Sequence, residues 1–250
     1  MTEYTQTRIA RLCDDALRRS GALGIVPTPL EAVQEAVGVE RRVDVAALPV
    51  IRERILGAMW FDERILFVDT RQTLGRRRFT EAHELAHVIC PWHRAVLRLD
   101  TGAQLFGHLG RGLEAEANLG AAQLIFQADA FEAAARDRDP SLVTAFALAE
   151  QFAASRQAAA HHYVQRSQDA VALAITGRWP GRDGRLPVWR TVESSSFRRR
   201  FGRLEVPGEE LADAVEAARS SSAPVPARAR GLRAEVFNNR HCHLILVAER

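Results

Sequence analysis

Three residues of the segment RFTEAHELAHVICPWH, which runs from Arg78 to His93, have the types and spacing needed for metal-dependent hydrolysis. His83 and His87 are four residues apart, so on a helix their imidazoles project from one face and can bind one ion. Glu84 follows the first histidine and can reach water at that ion. Zinc lowers the pKa of such water, and Glu84 can accept its proton and pass it to a leaving amine. The pattern therefore predicts a catalytic zinc site.

A catalytic zinc needs a third protein ligand and an open fourth position, and the sequence offers two candidates. His93 lies ten residues after His83, which is the metzincin spacing, but Cys90 occupies the glycine position of that motif and no methionine follows it. These departures favour a surface or outer position for His93. The second candidate is Glu114 in LEAEANLGAAQLI, which shares a helix face with Asn118. A glutamate from a neighbouring helix is the usual partner of such a histidine pair in thermolysin-like enzymes.

The elements that must position these residues are predicted from periodicity and capping signals. The helix with the two histidines is expected to begin near Thr80, whose hydroxyl can cap the first turn, and to end at Pro91. A second long helix is expected from Leu113 to about Ala135. On that helix Glu116 is rotated away from Glu114, so we expect Glu116 to be a solvent-exposed acid.

The preceding residues predict two further helices and a β-hairpin. Residues 3–20 have the periodicity of an amphipathic helix, and a second helix runs from about Leu30 to Val37 and ends at Gly38. Residues 55–69, ILGAMWFDERILFVD, are typical of a hairpin, because two apolar runs flank a short acidic turn. The N-terminal part is therefore mostly helical with a small sheet.

The segment LAEQFAASRQAAAHHYV has the spacing of a helix-turn-helix. Ser155 is expected to cap its second helix, which leaves Arg156, Gln157, Ala160 and His161 facing outward. A helix that reads DNA prefers Arg, Asn or Gln at several such positions, and two of these four qualify. Direct DNA binding is therefore an open but weaker interpretation of this segment.

The C-terminal part is predicted to be rich in strands. AVALAITGR, LPVWRTVESSS and the two halves of RAEVFNNRHCHLILV have strand character, and the last forms a hairpin around Asn238-Asn239. Ser220–Gly231 is rich in Ser, Pro, Ala and Arg and is expected to be a loop. His241, Cys242 and His243 suggest a metal cluster, but a hairpin strand that buries its cysteine is the favoured interpretation.

The composition indicates a reducing compartment and no membrane segment. The cysteines at positions 13, 90 and 242 are odd in number and far apart, which argues against a disulfide framework. No apolar run is long enough to span a bilayer, and the N-terminus lacks the apolar core of a signal peptide, so we expect a cytoplasmic location. Residues 1–135 hold 16 Arg and 18 acidic residues, and residues 136–250 hold 18 Arg and 13 acidic residues. The basic half could favour an acidic partner or nucleic acid, although a solvated surface is the favoured interpretation.

RFTEAHELAHVIC followed by EAEANLGAAQLI resembles the ImmA/IrrE metallopeptidase family, in which an RFT-x-AHE-x-x-H helix precedes an E-x-x-x-N-x-x-A-A-x-x-L helix. The resemblance covers roughly residues 5–165. It implies that His83, His87 and Glu114 bind Zn²⁺ and that Glu84 is the general base. One departure is that Ile125-Phe126-Gln127 stands where members usually have Leu-Met-Pro.

The resemblance also implies an α+β fold with three parts. These are a mostly helical zincin-like peptidase domain with a small β-sheet over residues 1–136, a helix-turn-helix-like segment over 137–168, and a mixed α/β, GAF-like sensor or substrate-recognition domain over 169–250. The implied function is that of a regulatory zinc endopeptidase. Its substrate would be a helix-turn-helix repressor of stress-response or mobile-element genes. The alternative is a non-catalytic regulator that contains a metal, or a protein-binding module.

Overall fold

A computed structural model describes residues 2–47, 56–94, 109–179, 181, 185–206 and 208–249. Over these residues the chain is mixed α and β and divides into two compact units. The first comprises Met1–Phe131 and Gln151–Ala154, and the second comprises Glu132–Glu150 and Ser155–Arg250. The α+β fold class with a strand-rich C-terminal part is confirmed. No helix within these ranges combines the length and hydrophobicity needed to cross a membrane.

The first unit packs helices beside a three-stranded sheet. The N-terminal helices are α1 (Glu3–Arg19) and α2 (Leu30–Ala36), both close to the predicted bounds. The predicted hairpin is confirmed as β2 (Gly57–Trp60) paired antiparallel with β3 (Ile65–Val68). A strand that the sequence did not predict, β1 (Arg41–Asp44), adds to β3 in parallel, so the sheet order is β1-β3-β2.

The helix with the two histidines, α3, spans Leu74–Ile89 and stops just before Pro91, as predicted. The predicted start near Thr80 is wrong, because Thr80 lies in the middle of the helix. Its hydroxyl donates to Gln72 Oε1 at 3.1 Å instead of capping a first turn. The extra turns are possible because the arginines before Thr80 are good helix formers.

The predicted long helix is two helices, α4 (Leu109–Phe126) and α5 (Ala128–Ala135). Gln127 breaks it with a left-handed φ of 44°. Its buried side chain explains the break, since Oε1 accepts from the backbone N–H of Gly24 at 2.6 Å and Nε2 donates to Thr28 Oγ1 at 2.9 Å. These bonds tie the end of α4 to the loop between α1 and α2.

The second unit contains a five-stranded antiparallel sheet. The predicted strands are confirmed as β4 (Val171–Gly177), β5 (Val188–Glu193), β7 (Leu232–Asn238) and β8 (Cys242–Ala248). Helices α8 (Ser195–Phe201) and α9 (Ala212–Ala218), which were not predicted, pack their apolar side chains on one face of the sheet.

The prediction of a loop over Ser220–Gly231 is wrong, because it contains strand β6 (Val225–Ala229). In the strand order β5-β4-β8-β7-β6, β6 lies at the edge of the sheet, and within the described ranges it pairs with β7 alone. An edge strand tolerates Pro226, whose missing N–H removes no bond from an inner ladder. The proline that suggested a loop is thus compatible with this strand.

The helix-turn-helix-like segment forms α6 (Leu142–Gln151) and α7 (Arg156–Arg166), and Ser155 caps α7 by accepting from the N–H of Ala158. Within the second unit, the Arg156 guanidinium lies 4.8 Å from the ring centre of Phe146. The prediction that Ala160 faces outward is wrong, since it is fully buried. Two of the four side chains expected to face outward thus make contacts within the protein: Ala160 is buried, and Arg156, although exposed, contacts the Phe146 ring.

Candidate active site

The active-site candidates lie where α3 and α4 pack against each other. One turn of α3 separates His83 from His87, and their Nε2 atoms are 3.2 Å apart. The Glu114 carboxylate on α4 faces both rings, with Oε2 3.1 Å from His83 Nε2 and Oε1 3.5 Å from His87 Nε2. Among the described residues these three form the one cluster of His, Cys, Asp and Glu whose ligand atoms all lie within 4.8 Å of one another.

The spacing of these atoms suits a tetrahedral metal ion. Two nitrogens at zinc–ligand distance and a tetrahedral angle lie about 3.3 Å apart, which compares with 3.2 Å between the histidine Nε2 atoms. The two carboxylate oxygens lie at similar distances from the same nitrogens. Two imidazoles and one carboxylate are also the donor set of catalytic zinc sites, which leave a fourth position open.

The packing of α4 against α3 and α1 depends on one small residue, Gly120. A Cβ atom added at Gly120 of α4 would lie 2.6 Å from the Cβ of Ala86, the residue before His87. It would also lie 3.5 Å from Cys13 Sγ of α1. Glycine therefore lets α4 approach α3 closely enough for Glu114 to meet the two histidines.

The Glu84 side chain lies between α3 and the first residue of β2. A Cβ atom added at Gly57 would lie 3.4 Å from Glu84 Cγ and Oε1 and would collide with Thr80 Cγ2. Burial raises the pKa of Glu84, and the charges of His83 and His87 only partly oppose that effect. A carboxylate with a raised pKa beside the ligand cluster is suited to general-base chemistry near neutral pH.

The charges of the cluster are strongly coupled. Hydrogen bonds from His83 and His87 hold the pKa of the Glu114 carboxyl well below its usual range. Burial lowers the pKa of His83, but Glu114 and Glu84 outweigh it, so the net shift is upward. Glu114 is therefore ionised at neutral pH, as a metal ligand must be.

The comparisons with known proteins bear on this site. Residues 40–163 match the peptidase M78 family, described as the IrrE N-terminal-like domain. The chain carries a peptidase M78 domain. This match spans the candidate site and extends through most of α7. It confirms the family to which the two sequence motifs pointed.

The chain is similar in structure to a solved Mycobacterium tuberculosis transcriptional regulator, with a TM-score of 0.62. The match covers 99% of this chain and 76% of that chain. At 16% identity this similarity shows a shared fold alone. No curated protein gave a significant match.

Of the two candidates for the third ligand in the M78 domain, the structure brings Glu114 and not His93 to the Nε2 atoms of the histidine pair. His93 is fully buried, and its Nδ1 lies 2.9 Å from Nδ1 of His87, on the other side of that ring. Asn118, one turn after Glu114, places its Oδ1 3.1 Å from His83 Nδ1. Each histidine of the cluster thus has a polar partner at Nδ1, the ring nitrogen that faces away from Glu114.

The prediction that Glu116 is solvent-exposed is wrong. Its side chain is 18% exposed, and its Oε2 accepts from the indole N–H of Trp92 at 2.7 Å and lies 3.0 Å from His93 Nε2. Helical spacing correctly places Glu116 away from Glu114. Helical spacing could not predict that the residues after α3 bring His93 and Trp92 back to Glu116 on α4.

The second histidine-rich motif of the chain does not form a metal cluster within the described part of the second unit. Cys242 and His243 are buried on opposite faces of β8. The Cys242 thiol lies 3.6 Å from Gln157 Oε1, and His243 Nδ1 lies 3.4 Å from the carbonyl oxygen of Gly177. The favoured interpretation, a hairpin strand with a buried cysteine, is confirmed.

Proposed function

We propose that the chain is a regulatory zinc-dependent endopeptidase, with His83, His87 and Glu114 as the zinc ligands and Glu84 as the general base. The observation that carries the proposal is the convergence of two imidazole nitrogens and one carboxylate on a single point. The peptidase M78 match over the same residues supports it. A purely structural zinc site would need no buried glutamate next to its ligands.

When bound, zinc supplies the Lewis acidity that activates water and polarises a peptide carbonyl. Glu84 then accepts the proton of the attacking water and delivers it to the nitrogen of the leaving amine. Its raised pKa suits both halves of this transfer. Asn118 holds the His83 ring through Nδ1, which directs Nε2 towards the ion.

We propose that the substrate binds as an extended segment along β2. This strand is at the edge of its sheet, so it can accept an added strand through backbone hydrogen bonds. Its first residue, Gly57, lies against Glu84, which would place the added segment beside the general base. Leu56 and Trp60 are exposed at the two ends of the strand and offer contacts to apolar substrate side chains.

The proposed substrate is a helix-turn-helix transcriptional repressor in the cytoplasm, cut at one site so that stress-response or mobile-element genes are expressed. The IrrE-like family match supports a regulatory target. The proposed domain bounds remain 1–136, 137–168 and 169–250. In this proposal the GAF-like third part recognises the substrate or gates the peptidase, and α6 and α7 serve as a structural or docking element.

The test is a cleavage assay. The purified protein is loaded with zinc, mixed with the helix-turn-helix repressor encoded nearest its gene, and analysed by intact mass spectrometry. The matched control is Glu84→Gln, which keeps the shape of the side chain and the zinc ligands. Two fragments from one bond, absent with the control, are the expected result. Equal fragments with Glu84→Gln would contradict the assigned base.

A non-catalytic, metal-containing regulator is the second candidate, because the structurally similar protein is titled a transcriptional regulator. It predicts that Glu84→Gln retains full biological activity. The burial of Ala160 and the contact of the Arg156 guanidinium with the Phe146 ring argue against the DNA-binding form of this candidate. A mobility-shift titration in salt tests that form directly, since DNA binding through arginine weakens as salt rises.

A further inference from the structure

His93 occupies a position that neither the zinc cluster nor the general base explains. It lies in the turn that follows α3, and its side chain is fully buried. Its Nδ1 is 2.9 Å from Nδ1 of His87, and the two ring centres are 4.9 Å apart. The contact is therefore made to the nitrogen of His87 that faces away from Glu114.

The opposite side of the His93 ring meets a carboxylate. Glu116 Oε2 is 3.0 Å from His93 Nε2 and also accepts from the indole N–H of Trp92 at 2.7 Å. The Trp92 ring is covered in turn by the Arg8 guanidinium of α1, 4.2 Å from the ring centre. The carboxylate that contacts His93 is thus held in place by its neighbours.

Glu116, His93 and His87 form a series of hydrogen bonds. The positions of the hydrogens in this series follow from the carboxylate at one end. An ionised carboxylate can only accept, so His93 must carry its proton on Nε2. The neutral ring then has a bare Nδ1, which can only accept from His87 Nδ1–H. A neutral His87 with its proton on Nδ1 has a lone pair on Nε2, which points at the zinc cluster.

We propose that His93 and Glu116 are positioning residues that fix His87 in the tautomer and ring orientation needed to bind zinc through Nε2. The inference rests on the proposed zinc site. Asn118 performs the same task for His83 with one residue. His87 needs two, because His93 lies between its ring and the carboxylate. Outer partners of this kind typically change metal affinity about 10- to 100-fold when they are removed.

The first test uses the unmodified protein. Long-range ¹H–¹⁵N correlation spectra of the zinc-loaded chain are recorded at alkaline pH, where neutral imidazoles report which nitrogen carries the proton. The expected result is a proton on Nδ1 of His87 and on Nε2 of His93. A proton on Nε2 of His87, or on Nδ1 of His93, would overturn the proposal without any variant that could misfold.

The second test measures zinc affinity by competition with a chromogenic chelator. His93→Phe keeps a ring of similar size but removes the acceptor, and it should weaken zinc binding about 10- to 100-fold. Glu116→Gln keeps an acceptor oxygen and should weaken it less than His93→Phe. Trp92→Phe, which keeps a ring beneath Arg8 and removes one of the bonds that hold the same carboxylate, should weaken zinc binding less than His93→Phe.

The outcomes separate this inference from the proposed function. If the wild-type chain binds no zinc, the proposed zinc site fails and the inference fails with it. If the wild-type chain binds zinc and His93→Phe binds it equally well, the zinc site stands and the inference alone is overturned. Thermal unfolding of each metal-free variant identifies a general folding defect, in which case the tautomer measurement decides.

Discussion

Gly120→Ala tests whether the close approach of α3 and α4 builds the proposed zinc site. The added Cβ would lie 2.6 Å from the Cβ of Ala86, whereas carbon atoms pack at about 3.5–4.0 Å. The two helices must therefore separate by about 1 Å. Ala86 directly precedes His87, and Gly120 follows Glu114 on the same helix, so the separation moves the carboxylate away from the imidazoles.

The expected loss has two components. Overpacking of this kind costs about 1–3 kcal/mol in the free energy of unfolding. Ligand distances in zinc sites hold within about 0.2 Å, and a displacement of about 1 Å in a positioned group reduces function on the order of 100-fold. We therefore expect zinc affinity to fall about 10- to 100-fold, in addition to the loss of stability.

Chelator competition measures the zinc affinity, and urea unfolding of the metal-free protein measures the stability. Gly112→Ala is the matched control, because it lies on the same helix and an added Cβ there meets nothing within 4 Å. It should stabilise the protein by about 0.5–1 kcal/mol and leave zinc binding unchanged. Wild-type zinc affinity in Gly120→Ala would refute the view that helix spacing sets the site.

Three further predictions concern the base, the β2 strand and acid stability. Glu84→Gln should reduce peptide cleavage about 10²- to 10⁴-fold and leave zinc content unchanged by elemental analysis; retained cleavage would contradict the assigned base. Gly57→Ala should displace Glu84 and lower kcat while the zinc affinity stays near wild type, because the three atoms nearest to the added Cβ belong to Thr80 and Glu84. Burial lowers the pKa of His161 to about 4 and that of His162 to about 3. Their unfolded forms therefore take up protons first, and stability should fall as pH drops below about 6.5, by up to about 1.4 kcal/mol per pH unit for each histidine. His162→Gln should flatten the dependence of Tm on pH in this range, and an unchanged slope would contradict the assignment.

The sequence predicts that the two histidines come together because helical spacing is local. Residues four apart on α3 share a face, so the convergence of His83 and His87 follows from their numbers alone. To predict Glu114 as the third candidate ligand required information about a second helix, and the motif resemblance supplied that information. Periodicity alone could not give the role of Glu116, because the turn that buries His93 and brings Trp92 to that carboxylate is a tertiary feature.

The errors in predicting the fold at Gln127 and β6 have the same origin. Gln127 lies in a stretch with good helix propensity, and only its buried bonds to the loop at residues 22–28 end α4 there. Thr80 looked like a helix cap because its hydroxyl can accept from the first turn, yet the chain continues as helix on both sides of it. β6 contains a proline that its edge position tolerates. At Gln127 and in β6 the tertiary position overrides the local preference, whereas α3 extends beyond Thr80 because the preceding arginines are good helix formers.

The measurement that tests the central claim most directly is the metal content of the purified chain and of its Glu114→Ala and His87→Ala variants. Elemental analysis after exposure to zinc and removal of excess metal should give one zinc per wild-type chain and little in either variant, while circular dichroism shows that all three are folded. A folded wild-type chain without zinc, or variants that retain one zinc each, would contradict the assignment of His83, His87 and Glu114 as the metal site.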